Sequence, residues 1–447
     1  MRYRIEKDLL GQRQVPAEAY YGIETLRGKE NFEITKRGIC RQMIKALAIV
    51  KKAAAKANVD ALNIDEKVGK AIMLACDEIL NGRLHGQFVT DLIQGGAGTS
   101  MNMNANEVIA NRANELLGGK KGVYDFVHPN DHVNFGQSTN DVIQTAGKIA
   151  IVKQLKKLQV ELKKLYNAYL NKATEFKDVI KMGRTHLQEA LPLRLGQEFS
   201  AYASALNRDM KRIDVAIEAL LEVNMGATAI GTSLNANEKY RKKVIYYLNK
   251  FSGEQIKPAK DLIDATRNFD TFGQASSTLK LLALNLSKTA SDLRLMASSG
   301  SNGFSEITLP HVQPGSSIMP GKYNPVVPEM VNQVCFYVIG LDVTITKAIE
   351  AGQLELNVFG PIILMSLFEQ ITTLRRATRT FHNLAISGLI ANTTKYKTDN
   401  SIYLITALSP HLGHEEACNV VNEAISSEKT IKQVLLDHHI LSEEIIN

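Results

Sequence analysis

The chain has 447 residues, with 53 Lys plus Arg against 46 Asp plus Glu, so its formal charge is +7. Hydrophobic residues make up 45% and charged residues 22% of the chain, which is typical of a globular protein and argues against a disordered chain, a collagen-like repeat or a disulfide scaffold. At roughly 150 residues per domain, the length predicts about three domains. The N-terminus is charged and no apolar run approaches the ~18 residues of a membrane span, so we expect a cytoplasmic protein without a membrane partner.

The positive charge raises nucleic acid binding as an alternative, because Lys and Arg neutralise phosphates. The surplus is spread over the whole chain, however, and no Lys/Arg-rich block interleaved with aromatic residues is present. Solvated surfaces, or the steering of small anions, are therefore the preferred interpretation. We expect no nucleic acid partner, and salt-sensitive retention on DNA is the observation that would favour one.

Long helices are predicted through the middle of the chain. In the segment 151–170, apolar residues recur every three or four positions, at 151, 155, 158, 162, 165 and 169, and lysines fall between them. Similar patterns occupy about 194–223, 271–296, 325–351 and 356–389. Strand-like runs are nearly absent here, so the pattern predicts an all-α fold with a five-helix bundle.

Three mostly helical domains are expected around this bundle. Residues 140–394 form the predicted central domain, residues 1–139 an N-terminal domain with shorter helices, and residues 395–447 a small C-terminal domain. Helices too long and too apolar to be hidden within one bundle commonly pack against copies of themselves. We therefore expect a homo-oligomer.

Four polar, glycine-containing segments differ from the helices around them. They are Gln94–Glu107, Gly136–Asp141, Met182–Gln188 and Gln313–Pro325. In the first, Thr99 and Ser100 follow a glycine turn, which predicts a helix N-cap, a carboxylate site at a helix N-terminus, or both. It is not a phosphate loop of the GK[ST] type.

The last of these segments is the most specific. Two glycines and three prolines surround Ser316 and Ser317, which predicts a loop, and Lys322 and Asn324 supply a cation and an amide at its exit. By contrast, His186 in the third segment is a weak candidate when taken alone, because a lone histidine is usually structural.

The segment Gly315–Asn324 resembles the signature of the aspartase/fumarase superfamily, whose members eliminate a group from succinyl-type substrates to give fumarate. The resemblance covers nearly the whole chain, since it includes Arg4–Gly11, Tyr21–Arg27 and Glu350–Asn357 as well as the four polar segments. Within the superfamily, five stretches look like the aspartate ammonia-lyases: Tyr21–Ile23, Gln137–Asn140, Asn224–Thr228, Asn324–Gln333 and Gly352–Leu354.

This resemblance implies reversible deamination of L-aspartate to fumarate and ammonium, by abstraction of a Cβ proton and an aci-carboxylate intermediate; we expect no cofactor. It implies that Ser316 is the general base. The residues implied for the β-carboxylate are Thr99, Ser138, Thr139 and Ser317. Those implied for the α-carboxylate are Thr185, Lys322 and Asn324, while Asn140 and His186 face the amino group. A fumarate hydratase on the same scaffold is the alternative.

The resemblance also implies a homotetramer whose active sites are shared between subunits. Two departures from the family pattern stand out. Ser298–Phe304 replaces a Gly-Pro-Arg-Ala-Gly sequence, and Tyr323 stands where a small aliphatic residue is usual. The segments Pro410–Glu415 and Asp437–His439 contain metal-ligand residue types, but neither has a helical i, i+4 His pair with a carboxylate base, so no catalytic metal is expected.

Overall fold

A computed structural model describes residues 2–299, 303–315, 318–319, 321–393 and 405–440. Helices dominate, which confirms the all-α prediction. The α-helices in these ranges are α1 (Ile23–Asn31), α2 (Arg41–Asp60), α3 (Glu66–Leu80), α4 (Thr99–Leu116), α5 (Thr139–Glu175), α6 (Leu195–Leu220), α7 (Glu238–Ser252), α8 (Leu262–Arg267), α9 (Asp270–Met296), α10 (Val326–Glu350), α11 (Gly360–Phe381), α12 (Ile405–Leu412), α13 (His414–Ser427) and α14 (Ile431–Asp437).

The strands are short and pair two by two in chain order. They are β1 (Tyr3–Asp8), β2 (Gly11–Pro16), β3 (Ile180–Thr185), β4 (Gln188–Arg194), β5 (Glu222–Val223), β6 (Lys257–Pro258), β7 (Ile307–Thr308) and β8 (Ile390–Ala391). Three of the pairs are antiparallel, and β5 with β6 is parallel.

The helices α5, α6, α9, α10 and α11 are the five that the apolar periodicity predicts. In α5 the residues at 151, 155, 158, 162, 165 and 169 are all buried, whereas Lys156, Lys157, Lys163 and Lys164 are exposed. The lysine-rich side is thus a solvated helix face, as expected. The predicted fifth helix is shorter than its pattern, because α11 ends at Phe381 and a turn of π-helix, His382–Ile386, follows.

Polar side chains join the long helices to one another inside the bundle. Ser276 of α9 donates to Asp342 of α10 (2.7 Å), and Gln370 of α11 donates to Ser276 (3.1 Å). Further along α9, Asn285 donates to Asp209 of α6 (2.8 Å). These groups are buried or partly buried, so each unmade bond would carry a desolvation cost that favours this particular pairing of helices.

The chain divides into two compact units. The first comprises Met1–Val160, Met210–Ala283 and Phe336–Arg375, and the second comprises Glu161–Asp209, Leu284–Cys335 and Arg376–Asn447. Each of the five long helices contributes residues to both units. The division into three domains with boundaries near 139 and 394 stays a prediction.

A hairpin interrupts the helices where none was predicted. Strands β3 and β4 pair antiparallel between α5 and α6, with Thr185 opposite Gln188 at the tip. Most of its side chains are exposed or half-buried, and its apolar residues do not alternate with polar ones along β4. A strand is recognised in sequence by the alternation of apolar and polar residues. This hairpin lacks that alternation, so its strands could not be predicted.

One helix among the described residues, α10, is long and apolar enough to cross a membrane by length and composition alone, with a mean hydropathy of 1.3 over its best window. A single helix of this kind is a weak indication, because core helices of soluble proteins pass the same test. Here α10 makes polar contacts with α9 and α11 through Asp342 and Val338.

Candidate active site

The first predicted segment leads into α4. Helix α4 begins at Thr99, and its N-cap residue is Gly98, which has φ of +96° and makes no side-chain capping bond. The hydroxyl of Thr99 instead donates to the carbonyl of Gly96 (2.7 Å). The N-cap interpretation of Thr99 and Ser100 is therefore wrong, because the helix starts one residue too early for either hydroxyl to cap it. Thr99 remains exposed at the helix N-terminus.

The second segment lies against the first. Asn102 of α4 donates to the Thr139 hydroxyl (3.4 Å), and a Cβ at Gly98 would lie 3.1 Å from the side chain of Ile143 on α5. Glycine at 98 thus allows both the positive φ and the close approach of the two helix starts. The start of α4, which carries Thr99, thus lies against the start of α5. Ser138 and Thr139, together with Thr228, help to line a cavity of about 670 Å³.

Asp141 organises the turn that presents Ser138, Thr139 and Asn140. Its buried carboxylate accepts hydrogen bonds from the backbone N–H groups of Ser138 (2.9 Å), Gly226 (3.1 Å) and Thr228 (3.1 Å). Burial raises the pKa of Asp141 to about 6, although these three donors lower it. The sequence assigned no role to Asp141, although it lies within the predicted segment.

Asn140 already has a partner in the fold. Its side-chain amide donates to the carbonyl of Ala229 (2.6 Å), and Asn224 donates to the Asn140 carbonyl (3.2 Å). These two hydrogen bonds therefore fasten both ends of the segment Asn224–Ala229 to the start of α5. One N–H of the Asn140 amide group is used in this way, and an amide NH₂ has a second one to offer a ligand.

A buried lysine, Lys51, holds the residues that lead into the same turn. The ammonium group of Lys51, on α2, donates to the side chains of Asn134 (2.7 Å) and Gln137 (3.0 Å), and Lys51 is fully buried. Burial lowers the pKa of Lys51 to about 7, and the nearby Asp141 opposes this shift. Sequence reasoning missed Lys51, which stands beside Lys52 in a helix where a lysine pair suggests solvent exposure.

Thr185 and His186 lie at the tip of the unpredicted hairpin. His186 and Leu187 form its two-residue turn, and both have positive φ, +55° and +63°. This is the twist that two-residue hairpin turns need, but it is uncommon for residues other than Gly, Asn and Asp. Backbone strain of this kind persists where the surroundings hold it, and it clusters at functional sites. Thr185 and His186 are both exposed here.

The hairpin is held by a buried cluster of charges. Lys181 of β3 forms ion pairs with Glu306 (2.6 Å) and Glu198 (3.0 Å), and the side chains of Lys181 and Glu306 are each only 5% exposed. Arg184 also contacts Glu306, and its guanidinium lies 4.4 Å from the centre of the Phe304 ring. Glu306 thus joins β3 to the segment that leads towards the fourth predicted segment, and the sequence offered no signal for this role.

The fourth segment is described at Gln313–Gly315, Ile318–Met319 and Gly321–Pro325. Ser316 and Ser317, the predicted base and a predicted donor, lie outside the described residues. Lys322 is exposed, and the Asn324 side chain donates to the carbonyl of Gly315 (3.0 Å). A cavity of about 460 Å³ lies beside Tyr323 and Asn324.

The described site residues therefore form two groups. One lies in the first unit and contains Thr99, Ser138, Thr139 and Asn140; the other lies in the second unit and contains Thr185, His186, Lys322 and Asn324. Within the described part of the chain, no group of three or more His, Cys, Asp or Glu side chains is arranged to hold a metal ion. In the C-terminal segments considered for a metal, His438 instead contacts Glu423 (2.7 Å).

Comparison with known proteins assigns the family. A family model described as "Lyase" matches residues 11–340, and one described as "Fumarase C C-terminus" matches residues 404–447. An aspartate ammonia-lyase of Bacillus subtilis is 52% identical over 99% of this chain and 94% of its own length.

Two crystal structures have the same fold as this chain. One is a Brucella melitensis protein described as fumarate lyase:delta crystallin bound to cobalt, with a TM-score of 0.97, 45% identity and coverage of 100% of this chain and 97% of its own. The other is a class II fumarase from Schistosoma mansoni, with a TM-score of 0.96, 34% identity and coverage of 99% and 97%. The helical bundle, the polar segments and these relatives agree: the chain belongs to the aspartase/fumarase superfamily of lyases.

Proposed function

We propose that the protein is a carbon–nitrogen lyase that converts L-aspartate reversibly to fumarate and ammonium. The observation with most weight is the 52% identity, over 99% of the chain, to a protein named aspartate ammonia-lyase. The fumarase from Schistosoma mansoni is more distant, at 34% identity. The polar segments supply the donors and the cation that a dicarboxylate substrate needs.

The chemistry requires removal of a proton from Cβ of aspartate, which only the adjacent carboxylate acidifies. The intermediate is a carboxylate with two negative charges, so its stabilisation is the main catalytic task. Fixed hydrogen-bond donors serve this purpose, each worth on the order of 3 kcal/mol. We assign Thr99, Ser138, Thr139 and Ser317 to the β-carboxylate, and the contact between α4, which begins at Thr99, and Thr139 at the start of α5 supports this assignment.

The second group of residues is assigned to the rest of the substrate. Lys322, as a point charge, binds the α-carboxylate together with Asn324 and Thr185. Asn140, from the first group, and His186 face the amino group. Ser316 is the general base, because the Lys322 charge nearby in sequence favours its oxyanion.

We infer a homotetramer in which each active site takes residues from more than one subunit. One observation supports the assembly: α10 exposes large apolar side chains in the single chain. Phe336 is 62% exposed, Tyr337 48% and Val343 59%. Apolar surface of this extent on a central helix is typical of a subunit interface. The proposed compartment is the cytoplasm, where an exposed thiol such as Cys418 stays reduced.

Incubation with fumarate separates this function from the fumarate hydratase alternative. The purified protein is given fumarate in water, with and without ammonium, and the products are separated by chromatography. We expect aspartate to form when ammonium is present and no malate to form in its absence. Formation of malate without ammonium would favour the fumarate hydratase.

A further inference from the structure

The rings of His311 and Tyr323 stack face to face at the neck of the fourth segment. Their centroids are 3.6 Å apart and their planes differ by 6°. We call this region the loop neck and define it as His311, Gly315, Lys322, Tyr323 and Asn324. Both rings belong to exposed residues, Tyr323 being 49% exposed, so core packing does not force them together.

The backbone is also closed at the loop neck. The Asn324 side chain donates to the Gly315 carbonyl, and a Cβ at Gly315 would lie only 2.0 Å from the carbonyl oxygen of Lys322. The two arms of the neck, residues 311–315 before the loop and 322–324 after it, are therefore in direct contact. Only glycine allows this approach at position 315. The ring stack lies on the same pair of arms.

Both arms are anchored outside the neck. Before His311, strand β7 pairs with β8, so that Ile307 lies opposite Ala391. After Tyr323, the N–H of Val326 donates to the Asn324 carbonyl (2.8 Å) at the start of α10. The stack thus joins two stretches of chain that are each held in place, one by the β7–β8 pair and the other by the start of α10. Lys322 and Asn324 are the sequence neighbours of Tyr323.

We propose that the stack of His311 on Tyr323 clamps the loop neck and holds Lys322 and Asn324 at the spacing that the substrate's α-carboxylate requires. The inference rests on the proposed function, in which these two residues bind that carboxylate. His311 and Tyr323 are then positioning residues, and Tyr323 is also one of the positions at which the chain departs from the superfamily pattern. Because the α-carboxylate does not change during the reaction, the clamp affects substrate and transition state alike and acts mainly on KM.

Steady-state kinetics with matched variants tests the clamp. Tyr323→Leu and His311→Ala remove the stack, whereas Tyr323→Phe and His311→Phe keep two stacked rings. We expect the first pair to raise KM for L-aspartate by about two- to tenfold, the range of one aromatic pair, with kcat changed less. We expect the Phe variants to match the wild-type protein. The double variant Tyr323→Leu/His311→Ala is expected to be no worse than either single variant; wild-type KM in both single variants, or additive losses in the double one, would overturn the proposal.

Hydrogen exchange provides a readout that does not depend on activity. The N–H of Lys322 donates to the Met319 carbonyl (3.2 Å), so its exchange reports the order of the neck. By mass spectrometry, we expect faster exchange in the peptide containing Lys322 in His311→Ala, and wild-type exchange in His311→Phe. Equal exchange in all three proteins contradicts the clamp. If the wild-type protein releases no fumarate from aspartate, the proposed function fails, and the exchange pattern still decides whether the clamp exists.

Discussion

The buried carboxylate of Asp141 accepts a 2.9 Å hydrogen bond from the backbone N–H of Ser138, three residues before it. Its other oxygen accepts from Gly226 and Thr228, so one side chain fastens the turn of the predicted donors to a distant segment. A carboxylate has two acceptor oxygens and an amide has one. The geometry of the donor turn thus depends on a residue that need not touch the substrate.

Loss of this carboxylate should weaken both the fold and the activity. Replacement of Asp141 by Asn is expected to lower the free energy of unfolding by about 1–3 kcal/mol, because buried N–H groups lose their acceptor. It should also lower kcat/KM, since Ser138 and Thr139 are no longer held. Urea unfolding and steady-state kinetics measure the two effects. The exposed Asp125 is the control, and Asp125→Asn should leave both unchanged; equal behaviour of the two variants would contradict the assigned role.

The burial of Lys51 should make the free energy of unfolding depend on pH. Its pKa is lowered to about 7 in the folded protein from an ordinary value near 10.5, so the unfolded chain binds more protons between these values. The stability therefore rises with pH across this window, by at most about 1.4 kcal/mol per pH unit for one group. Comparison of unfolding in the wild type and in Lys51→Met isolates this contribution. The variant should show a smaller rise above pH 7, and an identical slope in both proteins would show that Lys51 is charged when folded.

Ser316 and His186 are predicted to differ in importance. As the general base, Ser316 should be nearly indispensable, and Ser316→Ala should lower kcat by about 10²–10⁴-fold. Ammonia leaves more easily than hydroxide, so His186 is expected only to orient the amino group, and His186→Gln should lower activity modestly. Kinetics of both variants on L-aspartate provide the comparison. Losses of equal size would overturn this division of roles.

Glu306 is predicted to be essential for the hairpin that presents Thr185 and His186. Removal of its charge in Glu306→Gln leaves the buried Lys181 with Glu198 as its remaining carboxylate partner, and loss of one partner of a buried pair costs about 3–5 kcal/mol. The control is Glu238→Gln, because Glu238 pairs with Lys242 (2.6 Å) and both side chains are exposed, 69% and 75%. Exposed pairs contribute about 0–1 kcal/mol. Chemical denaturation of both variants makes the test, and comparable small losses would argue against a supporting role for Glu306.

The five long helices were predictable because each buries one apolar face with the helical period, as α5 does from Ile151 to Tyr169. The hairpin of β3 and β4 was not, since its mostly exposed residues do not alternate. The residues proposed to contact the substrate stand in polar, glycine-containing segments that are visible in sequence. Their supports, Lys51, Asp141 and Glu306, were missed because a charged residue is usually exposed, and only tertiary packing shows which ones are buried.

The central claim is that the protein eliminates ammonia from aspartate, and the most direct test is the ultraviolet absorbance of fumarate after L-aspartate is added to the purified protein. We predict a steady rise in absorbance, with one ammonium released for each fumarate formed, and nearly none with Ser316→Ala. Absence of fumarate from the wild-type protein, or the same rate in the Ser316→Ala variant, would contradict the account.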